Sequence, residues 1–345
     1  MYIEVILIES ALRPFDELRA QGPRFFRLQK YKKCIFAAKS TIMQDNLFTE
    51  NLKQSTGMRL LLFLIILLIS SLIGVAVAAV FMFSGNNGLR LAQGLSSIFM
   101  FVVPPIVYYY ITRKSNQLQA LGFRKMEHPW LFLLIGVVLM FIATPVTSQL
   151  TKWNAAMDLG PAFSKLEEYL KMMEESTEAA LEKIINTDSF EGLLLNLLIV
   201  ALIPAVGEEL TFRGVLQQSL TRRMNPHLAI LLSAAIFSFI HFQFYGFLPR
   251  MFLGMLLGYM FYISGSLWPN ILMHFVNNGM VVILYYLNNK GIITVDVEHF
   301  GEDWSIWLFV ASAVATVALI AWSWKKAQPK QPTEAAPIAP LTEND

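Results

Sequence analysis

The chain has 345 residues, of which 55% are hydrophobic and 15% charged, with a formal net charge of +2 and a mean hydropathy of +0.50. A soluble protein of this length is less apolar and divides into two domains, so the length reads better as a bundle of membrane-spanning helices. The near-neutral balance gives no basic surface for nucleic acid, and a single cysteine, Cys34, excludes an intrachain disulfide and any cysteine-based metal site.

In chain order, residues 1–57 come first. They are mixed in polarity and carry Arg24, Arg27, Lys30, Lys32 and Lys33. The opening MYIEVILIES has neither a basic leader nor a small-residue cleavage site, so it is not a secretory signal. This segment is expected to be a cytoplasmic extension, with Met43 and Met58 as alternative starts of a compact membrane protein. Membrane spans are expected over 58–83, over 91–111 with a break at Pro104-Pro105, and over 129–150. Residues 151–191 are acidic (Glu167, Glu168, Glu174, Glu175, Glu178, Glu182), with Phe163, Leu166, Leu170, Met173 and Ala180 at roughly helical spacing. That pattern predicts an amphipathic helix outside the membrane. Four spans follow, over 192–219, 226–245, 248–264 and 267–287, and a last over 304–324. The tail 327–345, with Pro329, Pro332, Pro337 and Pro340, is expected to be disordered. The whole is an all-α polytopic bundle of about eight helices, its membrane domain covering 58–326.

Lysine and arginine set the orientation. The basic N-terminal segment, Arg113, Lys114, Arg124 and Lys125, then Arg222 and Arg223, then Lys325 and Lys326, all fall on one side of an eight-span bundle. The acidic stretch and the loop 296–303 fall on the other, with Arg90, Arg250 and Lys290 there singly. Both termini are therefore expected in the cytoplasm, and a bacterial-type cytoplasmic membrane is the expected location.

An ionisable side chain in a bilayer interior costs on the order of 3 kcal/mol, so each one is a functional hypothesis. Most spans here avoid them. The fourth contains Gly207-Glu208-Glu209-Leu210-Thr211-Phe212-Arg213-Gly214, the fifth Phe237-Ser238-Phe239-Ile240-His241, and the seventh His274-Phe275-Val276-Asn277-Asn278. Glu209 and Arg213 are four apart and share a helical face, so they can pair. Glu208 is turned by about 100° and is left to face elsewhere. His274 and Asn278 are also stacked. Glu209 and His241 lie equally far from the turn at Asn225-Pro226, which places them at similar depth. Singly, each of these residues is as readily a satisfied structural group. Gathered in three spans, they point to a site. By contrast, Gly254 and Gly258 read as a close-packing face, Tyr108-Tyr109-Tyr110 as an interfacial anchor, and His128, His227 and His299 as loop or turn residues without a role.

A carboxylate beside a histidine in a dry pocket can activate water, and a second histidine with an asparagine amide can stabilise the oxyanion. This describes amide or ester hydrolysis. Glu208, His241 and His274 could equally hold zinc with an open fourth position, and the residues alone do not separate the two chemistries. There is no His-Glu-x-x-His, no aspartate inside a span, and no histidine at the depth of Ser264 and Ser266.

The series Glu208-Glu209-x-x-x-Arg213, Phe237-x-x-x-His241 and His274-x-x-x-Asn278 resembles the CAAX-protease and bacteriocin-processing family of membrane proteases, over about residues 192–287. The resemblance implies an intramembrane endopeptidase acting on membrane-associated or prenylated peptide and protein substrates. It implies that Glu208 and His241 activate water, that His274 and Asn278 stabilise the oxyanion, and that Glu209, Arg213 and Phe237 orient the site. It leaves open a metal-independent or a zinc-dependent reaction. The rival readings are a non-catalytic scaffold or bacteriocin self-immunity protein, and a proton-coupled transporter. The last is disfavoured because no matching pair of broken helices is visible.

Overall fold

In hydrocarbon every backbone N–H and C=O must be satisfied within its own segment, so long apolar runs become long helices. The computed structural model describes residues 56–82, 84–112, 116–297 and 299–327. The chain divides into two units, Met1–Arg59 and Leu60–Asp345, and of the first only residues 56–59 are described. The expected N-terminal extension and proline-rich tail thus lie almost wholly outside the described residues.

Every regular element among the described residues is helical. The helices are α1 (Thr56–Ala79), α2 (Gly85–Thr112), α3 (Gln117–Leu121), α4 (Pro129–Ala155), α5 (Ser164–Ile185), α6 (Phe190–Thr221), α7 (Pro226–Phe239), α8 (Phe247–Ser264), α9 (Leu267–Asn289) and α10 (Ile306–Ala327). Seven are long and apolar enough to cross a membrane: α1, α2, α4, α6, α8, α9 and α10. The expected amphipathic helix is present as α5, starting after a short loop because α4 continues to Ala155.

Three expectations are corrected. First, the fifth expected span, 226–245, is not a full one. α7 has 14 residues, about 21 Å of helix against the roughly 30 Å of a hydrocarbon core. It stops at Phe239 instead of running to residue 245, because side chains take over from the helical ladder. His241 Nδ1 bonds the Phe237 carbonyl at 2.8 Å. Asn154, at the end of α4, donates to the Phe244 carbonyl at 3.0 Å and accepts from the Leu248 N–H at 2.6 Å. Irregular backbone at membrane depth persists only where such partners or a wet cavity satisfy it.

Second, Pro104-Pro105 does not break α2. A π-helical turn, Ile98–Val102, precedes the prolines, as another, Leu197–Leu202, precedes Pro204 in α6. A proline lacks an N–H and its ring collides with the carbonyl four residues back, and the wider turn moves that carbonyl aside. Third, the tyrosine run is not simply an interfacial anchor. Tyr108 and Tyr109 are buried, only Tyr110 is exposed, and Tyr109 OH donates to the Gly214 carbonyl at 2.9 Å.

The main apolar core lies between α4, α8 and α9, where Phe132, Leu139 and Met140 meet Leu256, Leu257, Met260 and Met273. The expected close-packing face on α8 is present. A Cβ on Gly254 would stand 3.0 Å from the Ala234 Cβ, and one on Gly258 would stand 2.7 Å from Ile230 Cγ2. Close approach lets α8 offer two carbonyls to α6, Gly254 O to Arg213 and Gly258 O to Gln217, both at 2.9 Å. Gly258→Ala is therefore expected to force α7 and α8 apart and to cost about 1–3 kcal/mol, as overpacking does. A fall in the thermal unfolding midpoint of the purified protein checks this, and an unchanged midpoint would contradict it.

Candidate active site

Four buried polar residues of α6 and α9, Glu209, Arg213, Asn270 and His274, form one connected cluster with Glu209 at its centre. Glu209 is fully buried. Its Oε1 accepts from Arg213 Nη1 at 2.8 Å and from His274 Nδ1 at 2.9 Å, and its Oε2 accepts from Asn270 Nδ2 at 3.2 Å. Arg213, also buried, spends its other amino group on the Gly254 carbonyl and lies 5.1 Å from the centre of the Phe237 ring. The expected Glu209–Arg213 pair thus forms, and its charge is shared with groups from two further helices.

Glu208 faces away from this pair, as the one-residue rotation requires. Its Oε2 lies 3.5 Å from His274 Nε2. His274 therefore stands between two carboxylates. A carboxylate only accepts, so the Nδ1 proton of His274 is given to Glu209 and Nε2 is the nitrogen on the Glu208 side. His241 is tied in the same sense. Its Nδ1 donates to the Phe237 carbonyl, which leaves Nε2 as its free ring nitrogen. His241 is close enough to Glu208 for the carboxylate charge to act on it.

Phe237 organises both histidines. Its ring stands edge-on to His241 at 5.1 Å and to His274 at 6.0 Å. It is itself wedged against Phe212 at 5.1 Å, and Phe101 packs on Phe212 from α2. α6, α9 and the end of α7 thus meet around one aromatic ring. Asn278, one turn beyond His274, accepts from Asn277 at 3.1 Å. Asn277 also lines a cavity of about 220 Å³ between α4, α8, α9 and the segment after α9, where Thr144, Thr147, Ser148, Thr151 and Glu302 supply polar walls.

Two polar neighbours lie outside the sequence motifs. Asn270 bridges Glu209 and the Leu257 carbonyl. Its signal was its place exactly one turn before His274 in an otherwise apolar run. Arg250, in the first turn of α8, enters the sequence reading only as a lone charge for orientation, yet its charge acts on His241 and feels that of Glu208. Its signal was a lone cation inside an apolar helix. Among the described residues no group of three or more His, Cys, Asp or Glu side chains is arranged to hold a metal ion. In the expected alternative zinc set of Glu208, His241 and His274, the two Nδ1 atoms are engaged by Glu209 and by the Phe237 carbonyl, which leaves Nε2 of each histidine as the nitrogen a metal would take.

Residues 190–280, about a quarter of the chain, match the family model described as Rce1-like, type II CAAX prenyl endopeptidase. These residues form an Rce1-like domain. It begins with α6 and ends within α9, so it holds Glu208, Glu209, Arg213, Phe237, His241, His274 and Asn278 together. No curated protein and no solved structure matches the chain. This match, set in a bundle with seven helices long and apolar enough to cross a membrane among the described residues, supports an integral membrane protein.

Proposed function

We propose that the chain hydrolyses peptide bonds of prenylated or otherwise membrane-associated peptides by a glutamate–histidine mechanism without a metal ligand set. The observation that carries this is the meeting of His241 and His274 around Phe237, with Glu208 beside His274, inside the residues that match the Rce1-like model. Glu208, poised beside His241, takes a proton from water as the water oxygen bonds to the scissile carbonyl carbon. His241 Nε2 holds the water on the opposite side. The carbonyl oxygen becomes an oxyanion, stabilised by His274 Nε2–H and by the Asn278 amide. For that, His274 uses both ring nitrogens as donors, Nδ1 toward Glu209 and Nε2 toward the oxyanion. Glu208 finally gives its proton to the leaving amine as the C–N bond breaks. Glu209, Arg213, Asn270 and Phe237 act by holding His274 and His241 in place.

The test is cleavage by the purified protein in lipid nanodiscs of a synthetic S-farnesyl peptide, with products identified by mass spectrometry. Wild type is expected to cut at one bond. His241→Ala is expected to lower kcat by about 10²–10⁴-fold, the usual share of a general acid–base partner. Failure of wild type to cut, or full activity of His241→Ala, would overturn the mechanism.

A further inference from the structure

We propose that Arg250 is a substrate-recognition residue: it binds a carboxylate of the peptide being cut, and in the free protein Glu174 of α5 holds that carboxylate's place. The proposal rests on the protease reading above. Three observations carry it.

The first is placement. Arg250 is a cation in the opening turn of a helix that is otherwise apolar and long enough to span the membrane, an expensive place for a charge. It stands beside the turn that carries His241, and its Nη1 reaches only a weak contact with the Gln243 carbonyl at 3.4 Å. Glu208 and His241 both lie within range of its charge.

The second is its partner. Arg250 Nη2 stands 3.8 Å from Glu174 Oε1, well outside the 2.7–2.9 Å of a made charge-assisted bond. By comparison, Arg213 and Glu209 close to 2.8 Å. The guanidinium fork therefore has donors to spare for a planar carboxylate.

The third is the nature of the occupant. Glu174 comes from α5, the amphipathic helix outside the spans, and its other oxygen accepts from the Tyr245 N–H at 3.2 Å. Burial pushes the Glu174 carboxyl up, against the pull of Arg250 and of that N–H. A desolvated carboxylate held at long range is a partner that another carboxylate can replace. α5 is held at its far end, where Arg90 bonds the Ile184 carbonyl at 3.0 Å and Asn196 bonds the Ile185 carbonyl at 2.9 Å. The Glu174 turn can thus lift without the helix being lost.

The carboxylate could be the peptide's free C-terminus or an acidic side chain near the cut bond, and the test separates these. A fluorescent S-farnesyl peptide ending Cys-Val-Ile-Met is titrated by anisotropy against the Glu208→Gln protein in nanodiscs, which binds without cutting. The same titration uses the C-terminal amide, and an amide whose last residue is glutamate. Arg250→Gln is expected to weaken binding of the free acid about tenfold or more, Arg250→Lys less, and neither to change binding of the plain amide. Glu174→Gln is expected to tighten the free acid and leave the amide unchanged. Recovery of Arg250-dependent binding by the glutamate amide assigns the site to side-chain carboxylates as well.

The proposal is overturned if Arg250→Gln weakens acid and amide alike, or if Glu174→Gln weakens the acid, since the pair would then be a structural latch. It is also overturned if the free acid shows no saturable binding. Arg250-dependent binding without cleavage by the wild type would sink the protease reading and leave this one standing.

Discussion

Glu208→Gln is expected to lower kcat for peptide cleavage by about 10²–10⁴-fold with little change in thermal stability. The amide keeps the size of the carboxylate and can still face His274 Nε2, now 3.5 Å from Glu208 Oε2. What it cannot do is take a proton from water or pass one to the leaving amine. Folding should be spared because Glu208, unlike Glu209, is bonded to no arginine and keeps some exposure, 7% against 0%. Turnover of the S-farnesyl peptide and the unfolding midpoint of the same preparation give both quantities. A variant that keeps more than about a tenth of wild-type kcat would remove Glu208 from the chemistry.

Arg213→Met is expected to do the reverse and damage the fold itself, by roughly 3–5 kcal/mol. The buried Glu209 would lose its 2.8 Å partner and keep its charge inside the protein. Desolvation of that charge, uncompensated, is what makes removal of one member of a buried pair so costly. Removing both members is expected to cost less: Arg213→Met with Glu209→Met should recover much of the stability lost by Arg213→Met alone. The double variant should nonetheless be inactive, because His274 would lose the carboxylate that holds its Nδ1 proton. Chemical or thermal unfolding of the two single variants and the double one yields the coupling directly. Equal stability of Arg213→Met and wild type would show that the pair carries no such strain.

The contrast between adjacent glutamates follows from a rotation of one residue. In a helix that rotation separates two faces, so Glu209 is drawn into the protein by Arg213 four residues later while Glu208 is left for the site. That much was legible in the order of residues, as were the histidines at Phe237-x-x-x-His241 and His274-x-x-x-Asn278. Asn270 was missed because a lone asparagine in an apolar run looks the same whether it packs or bridges. Arg250 was missed because a single charge near a helix start reads as a mark of orientation. Only the turn after α7 brings it within electrostatic range of His241.

The membrane character, the long helices, the amphipathic α5 and the three polar motifs follow from the sequence alone. Their physical causes are local: apolar runs of spanning length, 3.6-residue periodicity and the cost of each charge in lipid. Tertiary structure decided what depends on contacts distant in the chain. It set the length of α7, which ends where Asn154 and the His241 ring replace helical hydrogen bonds. It buried Tyr108 and Tyr109. It also turned a pair, Glu209–Arg213, into a cluster with His274, Asn270 and the Gly254 carbonyl. No local pattern encodes those partners, because a buried polar atom is satisfied by whichever group the packing of other helices delivers to it.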